Sequence, residues 1–294
     1  MKHLWKIIAI FVVLGICLVT VGAVTGANTN GYYIDKNGLH LYSRTYSLIQ
    51  ERNLEEIYTI HIDAVEADVR FVQAEDYGLE IYSRDDSGLS FTCENGNLVI
   101  NRCRGWHLDF MKFGQKNECV TIYLPENAQL DNVEIKSASG SIDIDAIQCK
   151  AFCANLVSGD VNIGNIEAND VAITTVSGTI EIKGGKANSF DFHLVSGNLR
   201  VSNLESGCLN ADFTSGKADL SGMFTGNTKI HGVSGSVMLK VQGAEQHYNR
   251  RIEVLSGRIT INGIRAGEGD VNYHADNMLD IKTISGNIDI TFLQ

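Results

Sequence analysis

Proline is almost absent from this sequence, one residue in 294. A chain so poor in it has no stiff proline-rich linker, and its 29 glycines must supply the tight corners instead. Basic residues are also scarce: 24 Lys plus Arg stand against 35 Asp plus Glu, a formal net charge of −11. That balance excludes a protein that holds nucleic acid by its phosphate backbone, because such binding needs a cationic face. Disorder is excluded by the 44% hydrophobic content against 20% charged residues, ample for a core in a chain of this length.

Only one long hydrophobic run is present. Ile7–Val24 carries no charge over 18 residues, which as a helix extends about 27 Å at ~1.5 Å per residue against a bilayer core of about 30 Å. Lys2 and Lys6 precede it and the next basic residue is Lys36, so the positive-inside rule puts the N-terminus in the cytoplasm. Residues 1–27 are thus expected to form one signal-anchor transmembrane helix, membrane lipid being a partner through it, with the bulk of the chain extracytoplasmic. The competing reading is a cleaved signal peptide, but the small-residue sites Val21-Gly22-Ala23 and Thr25-Gly26-Ala27 are weak ones. Residues 28–56 are polar and mixed, with Tyr32, Tyr33 and Tyr42, and read as a juxtamembrane spacer.

The rest is dominated by a repeat. Ser-Gly recurs at Ser139, Ser158, Ser177, Ser196, Ser215, Ser234, Ser256 and Ser285, at intervals of 19, 19, 19, 19, 19, 22 and 29. A 19-residue unit is too short for paired helices, so each unit is expected to be one coil of a parallel β-solenoid. Three and five residues after each Ser stand apolar pairs such as Ile142/Ile144, Ile180/Ile182 and Val237/Leu239, separated by mostly polar residues such as Asp143 and Glu181. That is the period of a strand with one wet face. Six and four before it stand Phe152/Ala154, Val171/Ile173 and Phe190/Phe192, so each coil is expected to supply two short strands and a corner. The fold class is all-β, a parallel β-helix of about 19-residue coils over residues 126–294, preceded by one transmembrane helix.

Gly140, Gly159, Gly178, Gly197, Gly216, Gly235, Gly257 and Gly286 then occupy corners that need positive φ. The serines before them invite a nucleophile reading. Gly232-Val233-Ser234-Gly235-Ser236 is closest to the G-x-S-x-G elbow but ends in Ser, and that elbow needs a strand-to-helix turn, so the serines are read as structural. Upstream, residues 57–125 read as an N-terminal cap. IYTIHIDAVEADVRFV from Ile57 is a degenerate coil in which Ala67-Asp68-Val69 replaces Ser-Gly and its strand, and Asn95-Gly96 between alternating runs signals a hairpin.

The stretch VTIYLPENAQLDNVEIKSASGSIDI, Val120 to Ile144, with the Ser-Gly strands after it, resembles the bacterial adhesin-like β-strand-repeat family that includes LiaG-like proteins. The resemblance covers about residues 57–294. It implies an envelope protein with a short N-terminal membrane anchor, linked to adhesion or to envelope stress and antimicrobial-peptide responses. It transfers no catalytic motif and no cofactor.

Candidate sites are few. The insert RGWHLDFMKFGQKNE interleaves Trp106, Phe110, Met111 and Phe113 with Arg104, Lys112 and Lys116, which suits a lipid headgroup surface as well as a hydrophobic cap. The two long intervals carry His247, Tyr248, Arg265, Tyr273 and His274, able to serve a ligand or a loop cap; no metal-ligand spacing appears among them. An outward trio, Glu181, Arg200 and Asp219, is equally a self-neutralising surface column. Cys93, opposite Leu98 in the hairpin, is expected to be a buried free thiol. Cys103 and Cys119 are expected within bonding reach at the base of the aromatic insert, a bridge that would close a loop of about 15 residues. A binding or scaffold module of the bacterial cell envelope, non-catalytic, is therefore the expected function, with an envelope polymer, an antimicrobial peptide or a membrane protein as partner. The alternative is a carbohydrate-active enzyme using the C-terminal loop insertions.

Overall fold

The alternation around each Ser-Gly pair becomes a stack of parallel coils. In the computed structural model, which describes residues 32–35, 38–41, 45–85, 87–102, 107–110 and 117–293, Ser139 aligns with Ser158, Ser158 with Ser177 and Ser177 with Ser196, all in parallel register. Ser215 aligns with Ser234 in the same way. Ile7–Val24 lies outside the described residues, and among the described residues no helix is long and apolar enough to cross a membrane.

Each coil turns inward three times rather than the expected two. In the Ser139 coil Ile142 and Ile144 are buried, then Ile147 and Cys149, then Phe152, Ala154 and Leu156. The middle pair escapes the apolar pattern because later coils fill it with Gly185 and Ala187, or Leu204 and Ser206. A third short face needs little volume, so small residues suffice there. The widest part of the core holds Phe190 and Phe192, stacked with ring centroids 5.8 Å apart.

The corner glycines all have positive φ, from +139° at Gly159 to +156° at Gly257. Conformation is only half of the requirement. A Cβ on Gly197 would lie 1.8 Å from the carbonyl oxygen of Gly178 in the preceding coil, and one on Gly216 would lie 1.7 Å from that of Gly197. The column is a line of backbones in contact, with no room for any side chain. The serine hydroxyls are not its mortar: Ser158, Ser177 and Ser196 are exposed, and the bond across the corner is Gly159 N–H to the Ser177 carbonyl, 3.1 Å.

Stacking order departs from chain order at the C-terminal end. Asn227–Gln242 pairs with the last coil, Asn277–Ser285 and Ile288–Leu293, and Asn277–Ser285 pairs in turn with Tyr248–Ser256. The last coil therefore lies between the Ser234 and Ser256 coils. The 29-residue interval supplies the chain for this return: Ile259–Ile261 and Ile264–Ala266 form a hairpin, and Gly269–Val271 folds back antiparallel on Tyr248–Ser256. Antiparallel strands close an end that parallel coils would leave open.

The N-terminal end is closed on the same plan. Thr59–Val65 and Asp68–Ala74 form the degenerate coil, with Ile62 opposite Ile135 and Val69 opposite Ile142. Leu89–Glu94 and Asn97–Arg102 form the hairpin, turning through Asn95 and Gly96 at φ +51° and +75°. Cys119–Pro125 runs parallel to Asp68–Ala74 and antiparallel to Gly78–Arg84. Residues 47–83, 89–103 and 117–294 make one compact unit.

The described residues among 32–46, 84–88 and 107–110 belong to a second unit. In it Tyr32–Asp35 pairs antiparallel with Gly38–Leu41 on one side and with His107–Phe110 on the other. The expected spacer thus carries strands, and part of the aromatic insert pairs with it.

Candidate functional site

The outward face of the strand before each corner carries a groove. Its two walls are columns of side chains, three residues and one residue before each serine, which alternation sends to the same side of the sheet. In stacking order the first wall reads Thr174, His193, Asp212, His231, Lys282 and Glu253, and the second Val195, Thr214, Val233, Ile284 and Leu255. The groove encloses about 870 Å³ and spans six coils, about 24 Å at ~4.8 Å per step. A volume of that size lies within the range of small-ligand sites.

The second wall is aliphatic and open to solvent. Val157, Val176, Val195, Val233, Ile284 and Leu255 are 43% to 85% exposed, and together they form a ridge along the stack. Single exposed aliphatics are ordinary on a surface, but a column of six of them, interrupted only by Thr214, is an interaction feature. Its sequence signal is the residue just before each Ser-Gly, Val at four of the eight positions and Leu or Ile at two, which the inward rows overshadowed.

The first wall is a polar network. Asp212 lies between two imidazoles, its carboxylate oxygens 3.5 Å from His193 Nδ1 and 3.5 Å from His231 Nδ1. His193 Nε2 also meets Asp191 Oδ1 at 3.1 Å, and Asn210 Nδ2 donates to Asp191 at 2.9 Å. Lys282 Nζ stands 3.5 Å from Glu253. Both imidazoles are engaged by carboxylates, and among the described residues neither is bonded to a hydroxyl or a thiol. His231 Nε2, Thr283 Oγ1 and Asp280 Oδ1 are buried without a hydrogen-bond partner, each a cost of about 1–3 kcal/mol when left so.

Few of the residues expected from sequence sit at this groove. Arg104, Trp106, Met111, Lys112, Phe113 and Lys116 lie outside the described residues, and of Phe110 only the strand pairing with Tyr32 is described. The C-terminal loops do meet: Tyr273 Oη donates to Glu245 at 3.3 Å, Asn262 Nδ2 donates to the same carboxylate at 3.1 Å, and Glu245 also pairs with Arg250. Tyr248, however, is a core residue, 3% exposed, packed on Phe292 at 5.7 Å and donating to the Gln242 carbonyl. Burial pushes its phenol pKa up. His247, Arg265 and His274 are exposed, and among the described residues no His, Cys, Asp or Glu cluster could hold a metal ion. Glu181 lies opposite Arg200 in register, but Arg200 makes no ion pair with it or with Asp219, which Lys217 engages at 3.2 Å.

The thiols follow burial. Cys93 is free, opposite Leu98 and partly buried against the core. Burial drives the Cys149 thiol up to about 12, and it raises Cys119 as well, against a lowering contact with Thr121. Cys119 carries a free thiol, while Cys103 lies outside the described residues. The strands Asn97–Arg102 and Cys119–Pro125 do not pair with each other; their ends are joined by a buried ion pair between Arg102 and Glu118.

An all-β stack of parallel coils, capped by antiparallel strands and grooved along one face, is the class these features define. The chain belongs to the Toastrack DUF4097 family, whose model matches residues 57–291. Among solved structures it is similar to a "putative adhesin" of Bacteroides fragilis, at a TM-score of 0.52 and 15% identity over 84% of this chain and 98% of that one. It is also similar to a "putative lipid binding protein" of Parabacteroides distasonis, at a TM-score of 0.39 and 12% identity over 86% and 98%. No curated protein matches this sequence.

Proposed function

We propose that this protein is a non-catalytic binding module of the bacterial cell envelope, tethered to the membrane by its N-terminal apolar segment, with the groove as its ligand surface. The observation that carries this reading is the aliphatic ridge, Val157 to Leu255, left 43% to 85% exposed along the stack. Apolar surface lined up in one column, interrupted only by Thr214, is costly in water unless something covers it. The name of the Bacteroides fragilis protein of like fold, "putative adhesin", belongs to the same class. A carbohydrate-active enzyme working through the C-terminal insertions has less support, since Glu245, Arg250 and Tyr273 are spent on holding those loops together and Tyr248 is in the core.

The test uses the full chain in detergent, applied to peptidoglycan, anionic liposomes and immobilised cationic peptides. Retention on one of the three is expected, with the double variant Val195→Lys, Val233→Lys losing at least ~10-fold of it, because two buried-on-binding aliphatics become charges. Indifference to all three, or retention that the lysines do not touch, removes the reading. The topology has its own check: a tag after Gln294 should be open to protease on intact cells while the N-terminus is protected, and attachment should be lost when residues 1–27 are deleted.

A further inference from the structure

Three of the four buried polar atoms without a partner among the described residues lie together. His231 is on the Ser234 coil, and Asp280 and Thr283 are on the coil stacked beside it, where His231 pairs with Lys282 and Gly232 with Thr283. His231 and Thr283 both line the groove, and Thr283 is 95% buried, 5% exposed. The fourth atom, Arg102 Nε, belongs to the opposite end of the stack.

Thr283 alternates inward between the outward Lys282 and Ile284, and Asp280 Oδ1 has Lys282 Nζ 3.8 Å away. What the groove itself presents is therefore the His231 imidazole nitrogen beside the Asp212 carboxylate, a pair that calls for a ligand that both donates and accepts. Hydroxyl groups do this; a hydrocarbon chain leaves both groups as they are. Charge argues against a polyanion, because Asp212, Glu253 and Glu268 face Lys282 in the groove of a chain with a net charge of −11. A peptide strand would add to a sheet edge for its backbone bonds rather than lie across side chains on a face. The groove repeats one polar and one aliphatic side chain at each step except that of Asp212, where Thr214 stands in the aliphatic column, and a glycan is a polymer that repeats ring C–H faces beside hydroxyls in the same manner.

Resting on the reading of the groove as a ligand surface, we infer that it binds an uncharged glycan strand laid along the stack, hydroxyls toward Asp212 and His231, ring faces against Val195, Val233 and Ile284. Calorimetric titration of the full chain with the hexamers and dimers of glucose and of N-acetylglucosamine tests this. One hexamer should bind at least ~10-fold tighter than its dimer, since several coils contribute. Asp212→Ala with His231→Ala, and separately Val195→Lys, should each weaken it at least ~10-fold with an unchanged circular dichroism spectrum. Absence of hexamer binding, or binding indifferent to both changes, overturns the inference. If anionic vesicles or cationic peptides bind in a Val195-dependent way while the hexamers do not, the glycan falls and the binding module stands; if nothing binds, both fall.

Discussion

Between Ser139 and Ser215 every coil rests on the one that follows it nineteen residues later, whereas at both ends the neighbours come from far along the chain. Ile135 meets Ile62, and the Ser234 coil meets the Ser285 coil. The middle needs only a repeated backbone geometry, since each coil is its neighbour's template. The ends must close long loops, and closure has to be offset by contacts that occur once. Those contacts are side-chain pairs: Arg102 with Glu118 in one cap, Arg250 with Glu245 in the other. Backbone contact governs the middle, and charge pairing governs the caps.

The sharpest way to break that contrast is Glu118→Ala. Arg102 and Glu118 are 4% and 6% exposed, so removing the carboxylate leaves a buried guanidinium whose other carboxylate among the described residues, Glu66, is 3.9 Å away. A loss of about 3–5 kcal/mol is expected, measured by urea unfolding. A change under about 1 kcal/mol would mean that the cap does not rely on this pair.

The middle should break by geometry instead. Gly197→Val puts a Cβ within 1.8 Å of the Gly178 carbonyl at φ +147°, and both overpacking and left-handed backbone are unfavourable, together about 2–4 kcal/mol. Gly263→Ala in the C-terminal hairpin also has positive φ, +77°, but meets nothing within 4 Å. It should cost only about 1 kcal/mol. Equal effects would show that conformation alone, and not the contact between coils, demands glycine in the column.

Thiol chemistry separates the interior of the stack from its surface. Cys208 is exposed, while Cys149 is buried with its thiol pushed up to about 12. Alkylation of native protein at pH ~8 should modify Cys208 at least ~10-fold faster than Cys149. Comparable rates would mean that the middle coils open readily. The same peptide maps report on Cys103 and Cys119: both thiols alkylated in unreduced protein would exclude the bridge.

The sequence made the middle legible because its rows repeat at a fixed step, Ile142/Ile144 and Phe152/Ala154 in one coil returning as Ile180/Ile182 and Phe190/Phe192 two coils on. It hid the third inward segment, since Gly185 and Ala187 fill an apolar position without reading as one. It hid the stacking order of the last coils because a repeat records similarity and not adjacency; the 29-residue interval was the only sign that the chain had length to turn back. The groove was in plain view as the valine before Ser-Gly. The polar column was not, because Asp212, His231 and Lys282 stand in separate coils, and the last pair meet only through the exchange of order.

The seam between middle and cap offers the smallest effect and the finest test. Glu134, in the first regular coil, lies opposite His61 of the degenerate coil, its Oε2 3.0 Å from His61 Nδ1 and its Oε1 2.6 Å from Lys136 Nζ. The Lys136 hydrogen bond foremost, with that of His61, holds the carboxyl below its ordinary 4.5. A carboxyl whose pKa is depressed on folding contributes stability above its unfolded pKa, and the contribution is lost as pH falls through the folded value. Glu134→Gln cannot titrate, so the variant should be less stable than the parent at neutral pH, by under about 1 kcal/mol for a solvent-screened pair. The two should converge as the pH is taken well below 4.5. The next two residues of the same row, Cys153 and Ala172, carry no carboxylate. A parent and variant that stay equally far apart across that range would show that Glu134 acts by packing, and that the seam is held as the middle coils are.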